Sequence, residues 1–400
     1  MPLPPPKAII CPLCVSNIPH TLSLTVWSLW DHILCSSAFL QCPLRSYSQL
    51  KGPSLMTQSC SNHSDYKEVI VREDVPPLLP GGRIIDGESW PPVFTAENVR
   101  SAKRMRPRSS DVFICTYPKC GTTWIQHIVH QLLGKTEYES ARDDDDGGIP
   151  GSSHDHKAMC FVSPMIERMG AEYADTIKTP RVLKSHFTYE NIPKGGGAKY
   201  IYAVRNPKDC LTSYFHHTRN FKIYNFEHGR FDVFFELFMT GRTGFGDYFA
   251  HIRSWLDGID KDEEQILFLT YEDMMADLRS AVLKIARFLG GTAGEAANDP
   301  DRLEKIVQNS TLAAMKKNQQ RWFPNKQLGD YSHRSEFIRK GGSRDWKNHF
   351  TLEQSQRMDQ RFHDLTTLTK AENWWQTEMA WEGPPQQNGY ATSAVNLQTV

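Results

Sequence analysis

The sequence has no excess of either charge, no long apolar run and no regular cysteine spacing. Lys and Arg number 46, as do Asp and Glu, so the formal net charge is zero. That excludes a global pull toward nucleic acid or anionic membrane and makes any anion site local. The apolar stretch Leu22–Trp30 is too short to span a bilayer. Its uncharged surroundings from Ala8 raise a signal peptide or anchor, but Pro12, Asn17, Pro19 and His20 interrupt them. The cysteines are odd in number, nine. Cys11, Cys14, Cys35, Cys42 and Cys60 crowd the N-terminal segment, and Cys115, Cys120, Cys160 and Cys210 are scattered later. That scatter points to reduced thiols rather than a disulfide frame. Cys11 and Cys14 with His20, His32 and Cys35 lack the second regular ligand pair of a zinc site.

What is present centres on Tyr117-Pro118-Lys119-Cys120-Gly121-Thr122-Thr123-Trp124. Before it, Val112–Thr116 is an apolar and β-branched run that reads as a buried strand. After it, Trp124, Ile125, Ile128, Val129, Leu132 and Leu133 recur at helical spacing, and Gly134 stands where a helix ends. The order is strand, tight loop, helix. Unpaired N–H groups at the helix start and the helix dipole make an anion site there. Lys119 adds a full charge and two threonines add hydroxyl donors. The loop is not a Walker A loop, whose lysine follows the second glycine. The plain alternative is a strand-to-helix turn with a surface lysine.

The octapeptide resembles the phosphosulfate-binding loop of the cytosolic sulfotransferases, which usually has serine where Cys120 stands. Arg339-Lys340-Gly341, followed by Gly342-Ser343-Arg344-Asp345-Trp346-Lys347, resembles that family's closing signature, with Arg344 at a usual glycine. The likeness runs from about Pro91 to Asp364.

The rest of the chain fits an α/β domain. Arg181–His186, Lys199–Arg205 and Ile266–Tyr271 read as further strands, with helices over Cys210–Phe215 and Met274–Leu289. Strands alternating with helices imply a parallel sheet flanked by helices, and the resemblance implies that it is a single P-loop-NTPase-like domain. Ligands in such sheets sit at the carboxyl ends of strands, where Thr116, His186, Arg205 and Tyr271 fall. Residues 1–64 read as a disordered tail, 65–378 as the domain and 379–400 as a second tail. Asp143–Asp146 with His154 and His156 read as a solvated loop.

The resemblance implies sulfuryl transfer from 3′-phosphoadenosine 5′-phosphosulfate (PAPS) to a small phenol, alcohol, steroid or amine. It also implies a cytoplasmic protein with no metal, membrane or nucleic-acid partner. His186, in Lys184-Ser185-His186, matches the family's base. Lys119 and Lys184 would face the transferring group, with Cys120, Gly121, Thr122 and Thr123 around the 5′ phosphate. Arg205, Ser213, Arg339, Lys340 and Gly341 match its 3′-phosphate segments. Trp124, Tyr271, Ser310, Thr311, Met315 and Phe337 fall on its adenine side. Phe161, Phe215, Phe221 and Tyr224 are candidates for the acceptor pocket or for the core. The family's dimer motif is imperfect, with Gln356 in place of its glutamate, which leaves a homodimer open. Rival readings are an inactive binding protein with the same fold and a nucleotide-dependent kinase.

Overall fold

The computed structural model describes residues 78–140, 158–324 and 334–382. The acidic run near 143–156 and the N-terminal cysteines lie outside them. A short antiparallel hairpin comes first, β1 (Arg83–Ile85) and β2 (Glu88–Trp90). Then follow α1 (Ala96–Lys103), β3 (Val112–Thr116), α2 (Thr122–Leu132), α3 (Met159–Val162) and α4 (Ile166–Thr176). Next come β4 (Val182–Ser185), β5 (Lys199–Val204), α5 (Pro207–Asn220) and β6 (Ile266–Thr270). The four long-range strands form one parallel sheet in the order β4-β3-β5-β6.

Every residue of β3 is buried because helices cover both faces. Alternate side chains serve alternate faces. Val112 and Ile114 pack with Ile125, Ile128 and Val129 of α2. Phe113 and Cys115 join the opposite layer with Tyr200, Tyr202 and Trp255. Truncating one of these apolar residues, as in Ile114→Ala, costs about 2–5 kcal/mol.

Register then places the site. Cys115 pairs with Ser185, Thr116 with Ala203, and Val204 with Thr270. All four strands therefore end level, and Thr116, His186, Arg205 and Tyr271 share one edge. The opposite edge is pinned by Arg181, whose fork meets the Asp111 carboxylate at 2.5 and 2.8 Å with both side chains fully buried.

Three sequence expectations need correction. The helix expected over Met274–Leu289 is broken at Asp277, whose carboxylate accepts the Ser280 N–H and starts a new helix, Leu278–Leu289. The β1–β2 hairpin went unrecognised, although Asp86-Gly87 is its turn, both left-handed at φ 52° and 84°. The C-terminal boundary at 379 is too early. Met379 is buried, its carbonyl accepts from Lys208, and Arg344 donates to the carbonyls of Thr377, Ala380 and Glu382. Arg344 sits at φ 64°, a left-handed conformation that explains why glycine is usual at this place. Its three bonds to the C-terminal strap offset a cost of about 1–2 kcal/mol for that backbone.

Candidate active site

The loop after β3 turns through two left-handed residues, Lys119 at φ 73° and Gly121 at φ 90°. A side chain at Gly121 would put its Cβ 3.0 Å from the Tyr271 ring, so glycine is required twice over, by conformation and by space. Gly121 also caps α2 without a side chain. The N–H groups of the first turn, which have no helical partner, thus border the cavity lined by Gly121, Thr122, Thr123 and Trp124. The Thr122 hydroxyl meets that of Thr116 at 2.7 Å.

Cations converge on this loop. Lys119, Lys184, Arg205, Arg339 and Lys340 line the same cavity. The Lys119 ammonium is 3.5 Å from His217 Nδ1 and 5.4 Å from the Phe337 ring centre. Burial, then Lys184 and Arg205, push its pKa down to about 7. Burial pushes Lys184 down to about 8, against the pull of Glu167. Such crowding is unfavourable in an empty cleft, and a polyanion relieves it.

His186 directly follows β4 and is buried, and it lines the same cavity. Its Nδ1 is 2.6 Å from the Thr116 carbonyl oxygen, which can only accept, so Nδ1 carries the proton and Nε2 the lone pair in the neutral ring. Burial first, and Lys184 next, hold the imidazole well below its usual range. The Phe245 ring packs edge-on against it, centroids 4.9 Å apart.

Arg205 joins the chain's two signatures. Its guanidinium donates to the Lys119 carbonyl at 3.3 Å and the Gly342 carbonyl at 2.8 Å, and lies 4.3 Å from the Tyr271 ring centre. The Tyr271 hydroxyl donates to the Gly341 carbonyl at 2.8 Å. Asp209 accepts the N–H groups of Arg344 and Trp346 at 2.6 and 3.2 Å. Arg339 and Lys340 each meet the Asp345 carboxylate at 2.5 Å. The lining also has apolar members, among them Pro91, Phe94, Met159, Met165, Phe221 and Tyr224.

Residues 109–373 match the family model of the sulfotransferase domain. The chain belongs to the sulfotransferase family. Human sulfotransferase 1C2 is 34% identical over 271 residues, 66% of this chain and 86% of that protein. A mouse sulfotransferase solved with PAP is 24% identical with a TM-score of 0.56, covering 73% of this chain and 96% of its own. A retinol dehydratase solved with androsterone and the inactive cofactor PAP is 20% identical with a TM-score of 0.57, over 69% and 87%.

In this sulfotransferase most residues named from sequence share the one cavity: Lys119, Gly121 to Trp124, Lys184, His186, Arg205, Ser213, Tyr271, Met315, Phe337 and Arg339 to Gly341. Three do not border it. Cys120 turns into the core, its sulfur 3.8 Å from that of Cys210. The buried Ser310 hydroxyl accepts from Gln131 at 3.0 Å, although its carbonyl does accept the Trp124 indole N–H at 2.7 Å. The Thr311 hydroxyl caps the helix Leu312–Lys316. Of the four acceptor-pocket candidates, Phe221 and Tyr224 line the cavity, whereas Phe215 packs against Phe231 and Phe234 and Phe161 lies off the lining.

Glu167 of α4 was not anticipated. It is fully buried, and one carboxylate oxygen accepts the Ser185 hydroxyl at 2.8 Å and the His186 N–H. Burial pushes its pKa up to about 7. No local pattern in the segment marks it; only the meeting of α4 with β4 does. No metal ligand was expected either, yet His216, Asp345 and His349 cluster beside the clamp.

Proposed function

We propose that this sulfotransferase takes its sulfuryl group from PAPS and passes it to a hydroxyl or amine of a small, mainly apolar acceptor. The observation that carries this reading is the meeting of Lys119, Lys184, Arg205, Arg339 and Lys340 with a neutral histidine in one cleft that apolar side chains also line. The residues fit an anionic nucleotide. Burial lowers the pKa values of Lys119 and Lys184, and Arg205 Nε is buried without a hydrogen-bond partner among the described residues. PAP in two fold neighbours and androsterone in one support the same classes of ligand here.

PAPS supplies an activated sulfuryl group on a phosphate leaving group. The loop N–H groups with Thr122 and Thr123 hold the 5′ phosphate. Arg205, Ser213, Arg339 and Lys340 hold the 3′ phosphate, and Trp124 and Tyr271 flank the base. His186 Nε2 takes the acceptor proton as the acceptor oxygen or nitrogen bonds to sulfur and the sulfur–phosphate oxygen bond breaks. Lys119 and Lys184 neutralise the departing phosphate, so positioning and electrostatics carry the catalysis.

We assign this activity to residues 65–378 together with the short strap ending at Glu382. We place the protein in the cytoplasm, because the four described cysteines outside the tail are all free. Among the described residues no helix is long and apolar enough to cross a membrane. The test is label transfer from sulfur-labelled PAPS to a panel of phenols, alcohols, sterols and amines, with the full chain and with one starting at Met56. Sulfated product from both is expected. PAP binding with no product across the panel would instead indicate an inactive binding protein, and activity only in the full chain would overturn the domain assignment. Fractionation of expressing cells checks the compartment.

A further inference from the structure

Beside the phosphate clamp stand three groups that the proposed chemistry does not use in catalysis. His216 lies one turn after Ser213 on α5, and His349 and Asp345 flank the turn Asp345–Asn348. The two rings face each other, His216 Nε2 to His349 Nε2, at 3.2 Å. Asp345 Oδ2 is 3.8 Å from His349 Nε2, and one ligand atom from each residue lies within 4.8 Å of the others. The His349 ring is held by stacking on Phe231, centroids 5.5 Å apart.

We propose that His216, His349 and Asp345 bind one divalent transition-metal ion of the zinc type, and that its binding is coupled to occupation of the neighbouring phosphate clamp. Two N–H groups cannot face each other at 3.2 Å, so at least one of the two ring nitrogens presents a lone pair. Zinc–nitrogen bonds of about 2.0–2.1 Å in a tetrahedron place two nitrogens about 3.3 Å apart, which is the spacing found. The carboxylate needs a small movement to complete the set. Two imidazoles with one carboxylate select zinc, cobalt or nickel over magnesium and calcium, which prefer oxygen ligands. His216 also lines the cavity, so water can complete the coordination.

The clamp sets the condition for binding. Arg339 and Lys340 each lie 2.5 Å from the Asp345 carboxylate, and two cations on that carboxylate oppose a third. They are also the groups assigned above to the 3′ phosphate, and the coupling rests on that assignment. A phosphate drawing them away leaves Asp345 open to the metal. A metal taking Asp345 in turn frees Arg339 and Lys340 for the phosphate. Each ligand then tightens the other by the same factor.

The experiment is calorimetric titration of the full chain with zinc chloride, without and with saturating PAP. Magnesium chloride is the control, and His349→Asn and His216→Gln are the variants. PAP affinity without metal is measured first on all three proteins and reports that each is folded. The parent should show one zinc equivalent that both variants lack, bound about tenfold more tightly with PAP, within the usual range of coupling between sites. Zinc bound elsewhere, by cysteines for example, survives in the variants and subtracts out. Cobalt(II) substitution should give visible bands without the sulfur charge-transfer absorption of a thiolate site. Equal zinc stoichiometry in parent and variants overturns the site. A zinc affinity indifferent to bound PAP overturns the coupling. A parent that fails to bind PAP sinks the cofactor reading instead, and the metal site is then judged on the PAP-free stoichiometry alone.

Discussion

His186 donates its Nδ1 proton to the Thr116 carbonyl oxygen 2.6 Å away, and that bond settles which nitrogen is basic. That basic nitrogen is fixed by the strand end that also begins the Lys119–Thr123 loop, so in the proposed reaction proton transfer and anion binding would share one backbone. His186→Ala should lower kcat by roughly 10²–10⁴, the usual range for losing a general base, with little change in PAP affinity. Because burial and Lys184 keep the ring neutral, its protonation should not cause a fall in kcat/KM between pH 8 and 6.5. Single-turnover rates beside PAP calorimetry measure both quantities. If His186→Ala loses PAP binding while bound complexes still react at the parent rate, the assigned role is wrong.

The lysines, by contrast, make binding depend on pH. With pKa values lowered to about 7 and about 8, Lys119 and Lys184 lose charge in the free enzyme as pH rises past neutrality. A bound phosphate favours the charged forms, so binding at pH 8 takes up protons. PAP affinity should weaken from pH 7 to 9, by up to about tenfold per pH unit for each proton taken up. Calorimetry in buffers of different ionisation enthalpy counts the protons directly. Net proton release at pH 8 would contradict the electrostatics assigned to the pair.

Cys120 replaces the serine usual in this loop, and the resemblance puts it with Gly121, Thr122 and Thr123 around the 5′ phosphate. The structure places it otherwise. The thiol is buried against Cys210 and Pro118, and Cys120 is absent from the cavity lining to which its neighbours Lys119 and Gly121 belong. Cys120→Ser should leave kcat and PAP affinity close to the parent's, with stability changed by no more than about 1 kcal/mol, the scale of one neutral hydrogen bond. A hundredfold loss of turnover would show that the thiol takes part in the chemistry.

The sheet and its loaded edge were legible because each strand carries its own signal. Val112–Thr116 and Lys199–Val204 are apolar runs closed by a polar or turn-forming residue, as strands of a parallel sheet buried on both faces read. The loop after β3 was legible because its glycine, lysine and threonines are contiguous between a strand and a helix, and Lys119, Gly121, Thr122 and Thr123 all line the cavity. Glu167 was not, since its meaning comes from touching Ser185 and His186 across a helix–strand contact. Nor were His216 and His349, which lie 133 positions apart in sequence. The direction in which Cys120 points was equally hidden, because residue type does not say which wall of a loop a side chain faces.

Arg205 offers the sharpest separation of binding from architecture. Its fork ties the Lys119 carbonyl to the Gly342 carbonyl, so removing it loosens both signatures. Among the described residues its Nε is buried without a partner. Arg205→Ala should weaken PAP by about 2–5 kcal/mol, the range for truncating one member of a desolvated charge pair. Arg205→Lys should recover little of that loss, because a single ammonium cannot reach two carbonyls and a phosphate as the planar fork does. General loosening of the loop predicts equal losses for every nucleotide. A 3′-phosphate contact predicts that PAP loses affinity while adenosine 5′-monophosphate, which lacks that phosphate, loses little. Calorimetry with both nucleotides on parent and variants decides between them. If Arg205→Ala weakens the two alike, the residue acts through architecture and the 3′-phosphate contact belongs to its neighbours.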